Sequence, residues 1–402
     1  VTVEEQIQFL RRGVNEIISE DDLAEKLKKG KPLRVKLGVD PTARDVTLGW
    51  AVVLRKLRDF QKLGHTACLI VGDFTAQIGD PSGKSKTRKQ LTPEEVQENV
   101  EAVKKQFFKI LDPDKTEITH NRNWLGEMKF DDVIRLCSRY TVARILERDD
   151  FEKRLKENRP IAMHEIMYPL CQGMDSVELK ADVELGGNDQ KFNILVGRNL
   201  MSQYEQEPQV AMMLPLLVGT DGKEKMSQSL GNYVSIQDEP NDMYGKTMSI
   251  PDDLIANWFE LCTDVPLEEI AEMEGQMKAG EANPRDIKRR LAREIVAEYH
   301  GKAAADEADR YFVETFSKRQ QPVDAEEAKV PAEAYQEDKV SLPALMTALG
   351  LTESNGEAKR LIKAGAVSLD GNKVAGLEPA APEEIDNKVL KVGKHQFRKL
   401  IV

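Results

Sequence analysis

Between Leu33 and Gly231 short apolar runs alternate with stretches whose apolar residues recur at helical spacing. That alternation predicts parallel strands joined by crossover helices. Val35-Lys36-Leu37-Gly38-Val39 reads as one strand and Ala67-Cys68-Leu69-Ile70-Val71 as the next. Between them Trp50, Val53, Leu54, Leu57 and Phe60 form a helical stripe that closes before Gly64. The unit is βαβ, with its functional loop at 40–49. In open sheets of this kind ligands sit beyond the carboxyl ends of the strands, so the residues after Val39 and after Val71 are expected to face one crevice. From 238 to 319 the character changes to long helices, one of them opened by Asn283-Pro284-Arg285. The stretch 320–338 carries six acids against one lysine and no periodic apolar face, which predicts a linker. A compact unit follows over 339–402. The expected domains are therefore 1–237, 238–319 and 339–402, with 320–338 between the last two.

Composition narrows the class. The 402 residues carry 58 Lys plus Arg against 69 Asp plus Glu, a formal charge of −11, with 40% apolar residues. That apolar share is ample for real cores, so disorder and a fibrous chain are excluded. The longest apolar run, Met212–Val218, is broken by Pro215 and falls far short of the ~18 residues a membrane helix needs. No membrane partner is expected. The start, Val1-Thr2-Val3-Glu4-Glu5, has no apolar signal core, and the expected location is the cytoplasm. Cys68, Cys137, Cys171 and Cys262 are far apart, and the five histidines form no ligand spacing, so neither a disulfide frame nor a metal site is expected.

Four segments carry candidate chemistry. Asp40-Pro41-Thr42-Ala43 leads through Thr47-Leu48-Gly49-Trp50 into a helix start, where small residues admit a nucleotide and unpaired N–H groups meet phosphate. Ile78-Gly79-Asp80-Pro81-Ser82-Gly83-Lys84 follows the next strand. Its Asp80 suits an ammonium group, and the basic stretch with Lys84 and Arg88 suits pyrophosphate; a solvated basic loop is the plain alternative. Tyr168, Gln172 and Asp175 recur at four and three residues, so on a helix they share one face, expected to aim inward. Gly186-Gly187-Asn188-Asp189-Gln190 then allows close backbone approach, with Asp189 suited to a ribose hydroxyl. Last comes Lys225-Met226-Ser227-Gln228-Ser229, whose lysine and hydroxyls suit phosphate in a loop.

In this order and at these separations the segments resemble the tyrosyl-tRNA synthetases, class I aminoacyl-tRNA synthetases, over essentially the whole chain. The resemblance implies an α/β fold: a parallel-sheet, Rossmann-like catalytic domain, an α-helical anticodon-binding domain and a small α+β RNA-binding domain. It implies tyrosine and ATP, with Mg2+, reacting to tyrosyl adenylate and pyrophosphate, then transfer to the 3′ end of tRNA by a homodimer. Tyr168, Asp80 and Gln172 match the positions that hold the amino group. Asp175 matches the phenol acceptor, and Gln190 falls in the same pocket. Asp40, Thr42, Gly49, Gly187, Asp189, Met226, Ser227 and Ser229 fall to ATP. Thr47, Trp50, Lys84, Arg88, Lys225 and Gln228 fall to the activation machinery. Lys36 stands where well-known members place a second tyrosine against the phenol, although others carry lysine. The tryptophan branch is related, but the terminal unit and the Tyr168, Gln172, Asp175 set point to tyrosine.

The tail resembles the small RNA-binding domain shared with a ribosomal small-subunit protein. Lys359, Arg360, Lys363 and Lys373, with Lys394, Arg398 and Lys399, give it local positive charge on an acidic chain. Solvated surface lysines are the plain alternative. Three departures from the family pattern fall within the ATP machinery. Thr47 and Trp50 stand where members carry the two histidines of the signature, and Gln228 replaces the second lysine of the loop. Gln228 can donate a hydrogen bond without the charge that pairs with phosphate. The leading expectation is an active tyrosine–tRNA ligase. The second is an activation-impaired paralogue that keeps tyrosine or RNA binding.

Overall fold

The computed structural model describes all residues except 41–44, 80–91, 318–325, 337, 375 and 394–395. Two compact units are present, Val1–Ala305 and Asp306–Val402.

The first unit is built on six strands: β1 (Glu16–Ile18), β2 (Arg34–Val39), β3 (Thr66–Val71), β4 (Thr116–His120), β5 (Val183–Gly187) and β6 (Val210–Leu214). Their spatial order is β1-β6-β5-β2-β3-β4. β2 to β6 run parallel and β1 is antiparallel on the β6 edge. The interior strands β3, β5 and β6 are buried almost end to end, as expected of a parallel sheet covered on both faces. From β2 the chain builds outward through β3 and β4, then returns to the other side of β2 for β5. The order therefore reverses between β2 and β5, the switch point at which open sheets of this class bind ligands.

The helix Leu48–Lys62 crosses from β2 to β3. Thr47 caps it, its hydroxyl accepting from the Trp50 N–H at 3.4 Å. Leu54, Leu57 and Phe60 lie on its buried stripe as expected, joined by Leu48 and Ala51. Trp50, expected to open that stripe, does not join it. At 100° per residue it falls between Leu54 and Leu57 on that face, but it stands in the first turn of the helix, 39% exposed, and stacks on Phe107 with centroids 6.5 Å apart.

The helices that begin at Pro240 belong to the same compact unit as the sheet. The expected boundary at 237/238 marks a change of secondary structure rather than a break in packing. Arg12 explains part of this, because its guanidinium meets the carbonyls of Phe259, Glu260, Thr263 and Val265 around the end of the helix Ile255–Cys262. Trp258, fully buried, donates its indole N–H to the Val218 carbonyl at 3.1 Å.

The second unit packs the helices Leu342–Ala348 and Asn355–Lys363 on a five-stranded sheet around Leu345, Met346, Ile362, Val367, Leu390 and Leu400. Of the linker expected over 320–338, residues 320–325 and 337 lie outside the described residues, and the rest is corrected here. Glu327–Lys329 is a strand paired in parallel with Gln396–Ile401, and Ala334 is fully buried. Three residues of strand are too short to show a period, so composition outweighed pairing in the sequence reading. No helix among the described residues is long and apolar enough to cross a membrane. Cys68, Cys171 and Cys262 are buried free thiols, each pushed up to about 12 by burial, and no described cluster of His, Cys, Asp or Glu could hold a metal.

Candidate active site

A cavity of about 310 Å³ opens at the switch point. Its walls come from the ends of β2 and β5, the start of the helix Leu48–Lys62, the helix Met163–Leu179 and the segment 214–226. The predicted residues Asp40, Thr47, Gly49, Trp50, Tyr168, Gln172, Asp175, Gly187, Asp189, Gln190, Lys225 and Met226 all line it. Ser227, Gln228 and Ser229 stand outside its lining. Thr42, Asp80, Lys84 and Arg88 lie outside the described residues.

Tyr168, Gln172 and Asp175 share the cavity face of the helix Met163–Leu179, as their spacing predicts. Tyr168 donates its hydroxyl proton to Asp40 Oδ2 at 2.7 Å, and Thr75 donates to Asp40 Oδ1 at 2.8 Å. The Tyr168 oxygen is thereby turned into an acceptor toward its other neighbours. Asp40 sits so close to Gly72 that a Cβ there would overlap its carboxylate.

Asp175 is 3% exposed and accepts from Trp124 Nε1 at 2.8 Å and Asn121 Nδ2 at 3.3 Å. Burial pushes its carboxyl up to about 7, while nearby Lys36 and those two donors act in the opposite direction. Neither Trp124 nor Asn121 emerged from the sequence. They follow β4 by a few residues, and only the fold brings them under Asp175.

Lys36, expected among the substrate-binding residues, does not line the cavity. It is fully buried, 2.9 Å from Glu184 Oε1, and also donates to Ser176 Oγ at 2.7 Å and the Gln172 carbonyl at 3.0 Å. The physical reason is register: β2 and β5 pair with Lys36 opposite Glu184, so the ammonium meets a carboxylate inside the sheet–helix layer. Glu184 was also missed by sequence reading, although it lines the cavity.

The nucleotide side is held by lighter contacts. Lys225 Nζ is 3.1 Å from Asp189 Oδ2, both groups partly exposed. The Gly49 N–H meets Met226 Sδ at 3.2 Å, and a Cβ on Gly49 would stand 3.4 Å from Met226 Cβ. Gln228 donates to the Asp45 carbonyl at 2.7 Å, which places it against the loop before the helix. Asn232 organises the segment from within, donating to Asp221 and to the carbonyls of Glu224 and Lys225, and accepting from the Ser227 N–H.

A family model described as class I tRNA synthetases (W and Y) matches residues 28–317. The tyrosine–tRNA ligase of Carboxydothermus hydrogenoformans is 54% identical over 400 residues, covering 98% of this chain and 97% of that one. The tyrosine–tRNA ligase of Moorella thermoacetica is likewise 54% identical, covering 99% and 96%. The chain belongs to the class I tyrosyl-tRNA synthetases. The L-tyrosine complex of the Archaeoglobus fulgidus tyrosyl-tRNA synthetase has the same fold, with a TM-score of 0.62 at 22% identity over 76% of this chain and 99% of that one. The full-length match takes in the terminal unit, where Lys359, Arg360, Lys363 and Lys373 are all exposed. Lys373 Nζ lies 3.4 Å from the Cβ position of Gly365, just past the helix that carries the other three. Arg398 and Lys399, expected to add to that charge, are instead paired with Glu326 at 3.2 Å and Glu327 at 2.8 Å. Lys394 lies outside the described residues.

Proposed function

We propose that the chain activates tyrosine with ATP to tyrosyl adenylate and pyrophosphate, then transfers the tyrosyl group to the 3′ end of its tRNA. The observation that carries this reading is one cavity lined by Tyr168, Gln172 and Asp175 at one end and by Gly187, Asp189 and Lys225 at the other. Asp175 accepts the substrate phenol. Its two donors, Trp124 and Asn121, leave further lone pairs on the carboxylate, and a phenylalanine ring would leave a buried acceptor unpaired. This family is itself the standard example of that discrimination. Tyr168 and Gln172 accept from the α-ammonium, a role that Asp80 shares. Asp40, Thr42, Gly49, Gly187, Asp189, Met226, Ser227 and Ser229 border the nucleotide.

Mg2+ would accompany ATP and offset charge on its phosphates. Neither altered signature residue supplies a cation. Thr47 spends its hydroxyl on the helix cap and Trp50 stacks on Phe107. Charge developing on the triphosphate therefore falls to Lys225, Lys84 and Arg88, with Gln228 donating as a neutral amide. The tRNA is gripped in part by Lys359, Arg360, Lys363 and Lys373. The active form is a homodimer, supported by Phe130, Ile134, Val142 and Met163, each more than half exposed on adjoining helices. The reading places the protein in the cytoplasm with its tRNA.

Tyrosine-dependent exchange of pyrophosphate into ATP, with tyrosine binding measured in parallel, tests this. Exchange at an ordinary enzymatic rate is expected. Tyrosine binding without exchange would replace the ligase by an activation-impaired paralogue.

A further inference from the structure

Beneath the amino-acid end of the cavity lies a buried ion pair that the proposed chemistry does not use. Lys36 and Glu184 are 0% and 1% exposed. The ammonium has three donors and three acceptors within reach: Glu184 Oε1, Ser176 Oγ and the Gln172 carbonyl. Glu184 is equally saturated. Its Oε1 also accepts from Gln172 Nε2 at 3.1 Å, and its Oε2 accepts from Ser176 Oγ at 3.1 Å and from Gln209 Nε2. An ionised carboxylate only accepts. The Gln172 amide must therefore turn its NH2 toward Glu184, which leaves Oε1 as the end available to the cavity. Among the described residues no hydrogen bond reaches that oxygen.

We propose that Glu184, held by Lys36, is a positioning residue that fixes the Gln172 amide with its oxygen toward the cavity, so that the site selects a ligand bearing an ammonium group. Glu184 cannot bind the ammonium itself, because its lone pairs are committed. It acts through Gln172. This rests on reading the cavity as the tyrosine site, and it adds the residues that set the polarity of one contact there.

The test measures binding of tyrosine and of 3-(4-hydroxyphenyl)propionate, which lacks the amino group, to the full chain and to two variants. Lys36→Met with Glu184→Met removes the pair while keeping volume, a change that buried ion pairs often tolerate. Lys36→Glu with Glu184→Lys keeps an ion pair but places a donor where the Gln172 amide needs an acceptor. In either variant tyrosine should bind about tenfold or more weakly, the scale of a hydrogen bond to a charged group. The des-amino analogue should change by less than about threefold. Either folded variant decides the matter, with melting curves establishing which ones fold. Equal loss of both ligands, or a reversed pair that binds tyrosine as the parent does, would overturn the proposal while leaving the tyrosine site intact. A parent chain that binds neither ligand would remove the site reading and the proposal with it.

Discussion

The two ends of the cavity are held by different kinds of interaction. At the amino-acid end Asp175, Lys36, Glu184 and Ser176 are each under 4% exposed and bonded to one another or to Asn121, Trp124 and Gln209. At the nucleotide end Lys225, Gln228 and Ser229 ride on a loop with exposed contacts, and Asp189 and Trp50 are only partly covered. In a buried network, losing one partner strands a polar group at full desolvation cost. An exposed contact is replaced by water at little cost. All three departures from the family pattern, Thr47, Trp50 and Gln228, fall at the nucleotide end. Substitution of Trp50 or Gln228 changes chemistry without threatening the fold, whereas Thr47 is buried and also caps the helix.

The sharpest way to break this contrast is Asp175→Asn. Discrimination of tyrosine from phenylalanine in pyrophosphate exchange should fall by about a thousandfold, because an amide replaces the buried carboxylate proposed to accept the phenol. The same variant has an opposite effect on stability. Because the folded Asp175 carboxyl titrates near 7, above its ordinary range, the folded state holds a proton that the unfolded chain has lost. Its contribution is present at low pH and is lost as pH rises through about 7, so Asp175→Asn should melt higher than the parent at pH 8 and alike near pH 4. Tyrosine affinity of the parent should rise over the same window, as the accepting carboxylate forms.

Restoring the signature donors is the next largest effect. Thr47→His with Trp50→His should raise the rate of adenylate formation by about a hundredfold, with tyrosine binding unchanged. Gln228→Lys should raise it by about tenfold, read as kcat in pyrophosphate exchange. No gain from either would mean that Lys84, Arg88 and Lys225 already supply the charge. Smaller still, Lys363→Ala with Lys373→Ala should weaken tRNA binding by a few fold and reduce the slope of log affinity against log salt by about 2, leaving tyrosine-dependent exchange unaffected. The smallest is Asp189→Ala measured as stability. The Lys225 pair is partly exposed and its loss should cost less than about 1 kcal/mol, whatever it does to ATP affinity.

The sequence reading reached the fold because its signals were periodic. The mainly apolar runs at 35–39 and 67–71 became parallel strands, and the four-and-three spacing of Tyr168, Gln172 and Asp175 became one helix face. It missed β1, at three residues too short for a period, and it took Glu327–Lys329 for linker for the same reason. It set Trp50 on the buried stripe because an aromatic at that spacing ordinarily packs, whereas in the first turn of the helix it stacks on Phe107 and stays 39% exposed.

What the sequence by itself determined is the alternation that dictates a parallel sheet, the motifs at its strand ends and the charge of the terminal unit. These depend on residues near one another along the chain. Only the tertiary structure decided that Lys36 faces Glu184 across 148 positions, that Asn121 and Trp124 support Asp175, and that Gln228 rests on Asp45. Such pairings come from strand register and from helices laid over a sheet. No local pattern encodes them, because a buried charge acquires its partner only when distant segments close around it and exclude water.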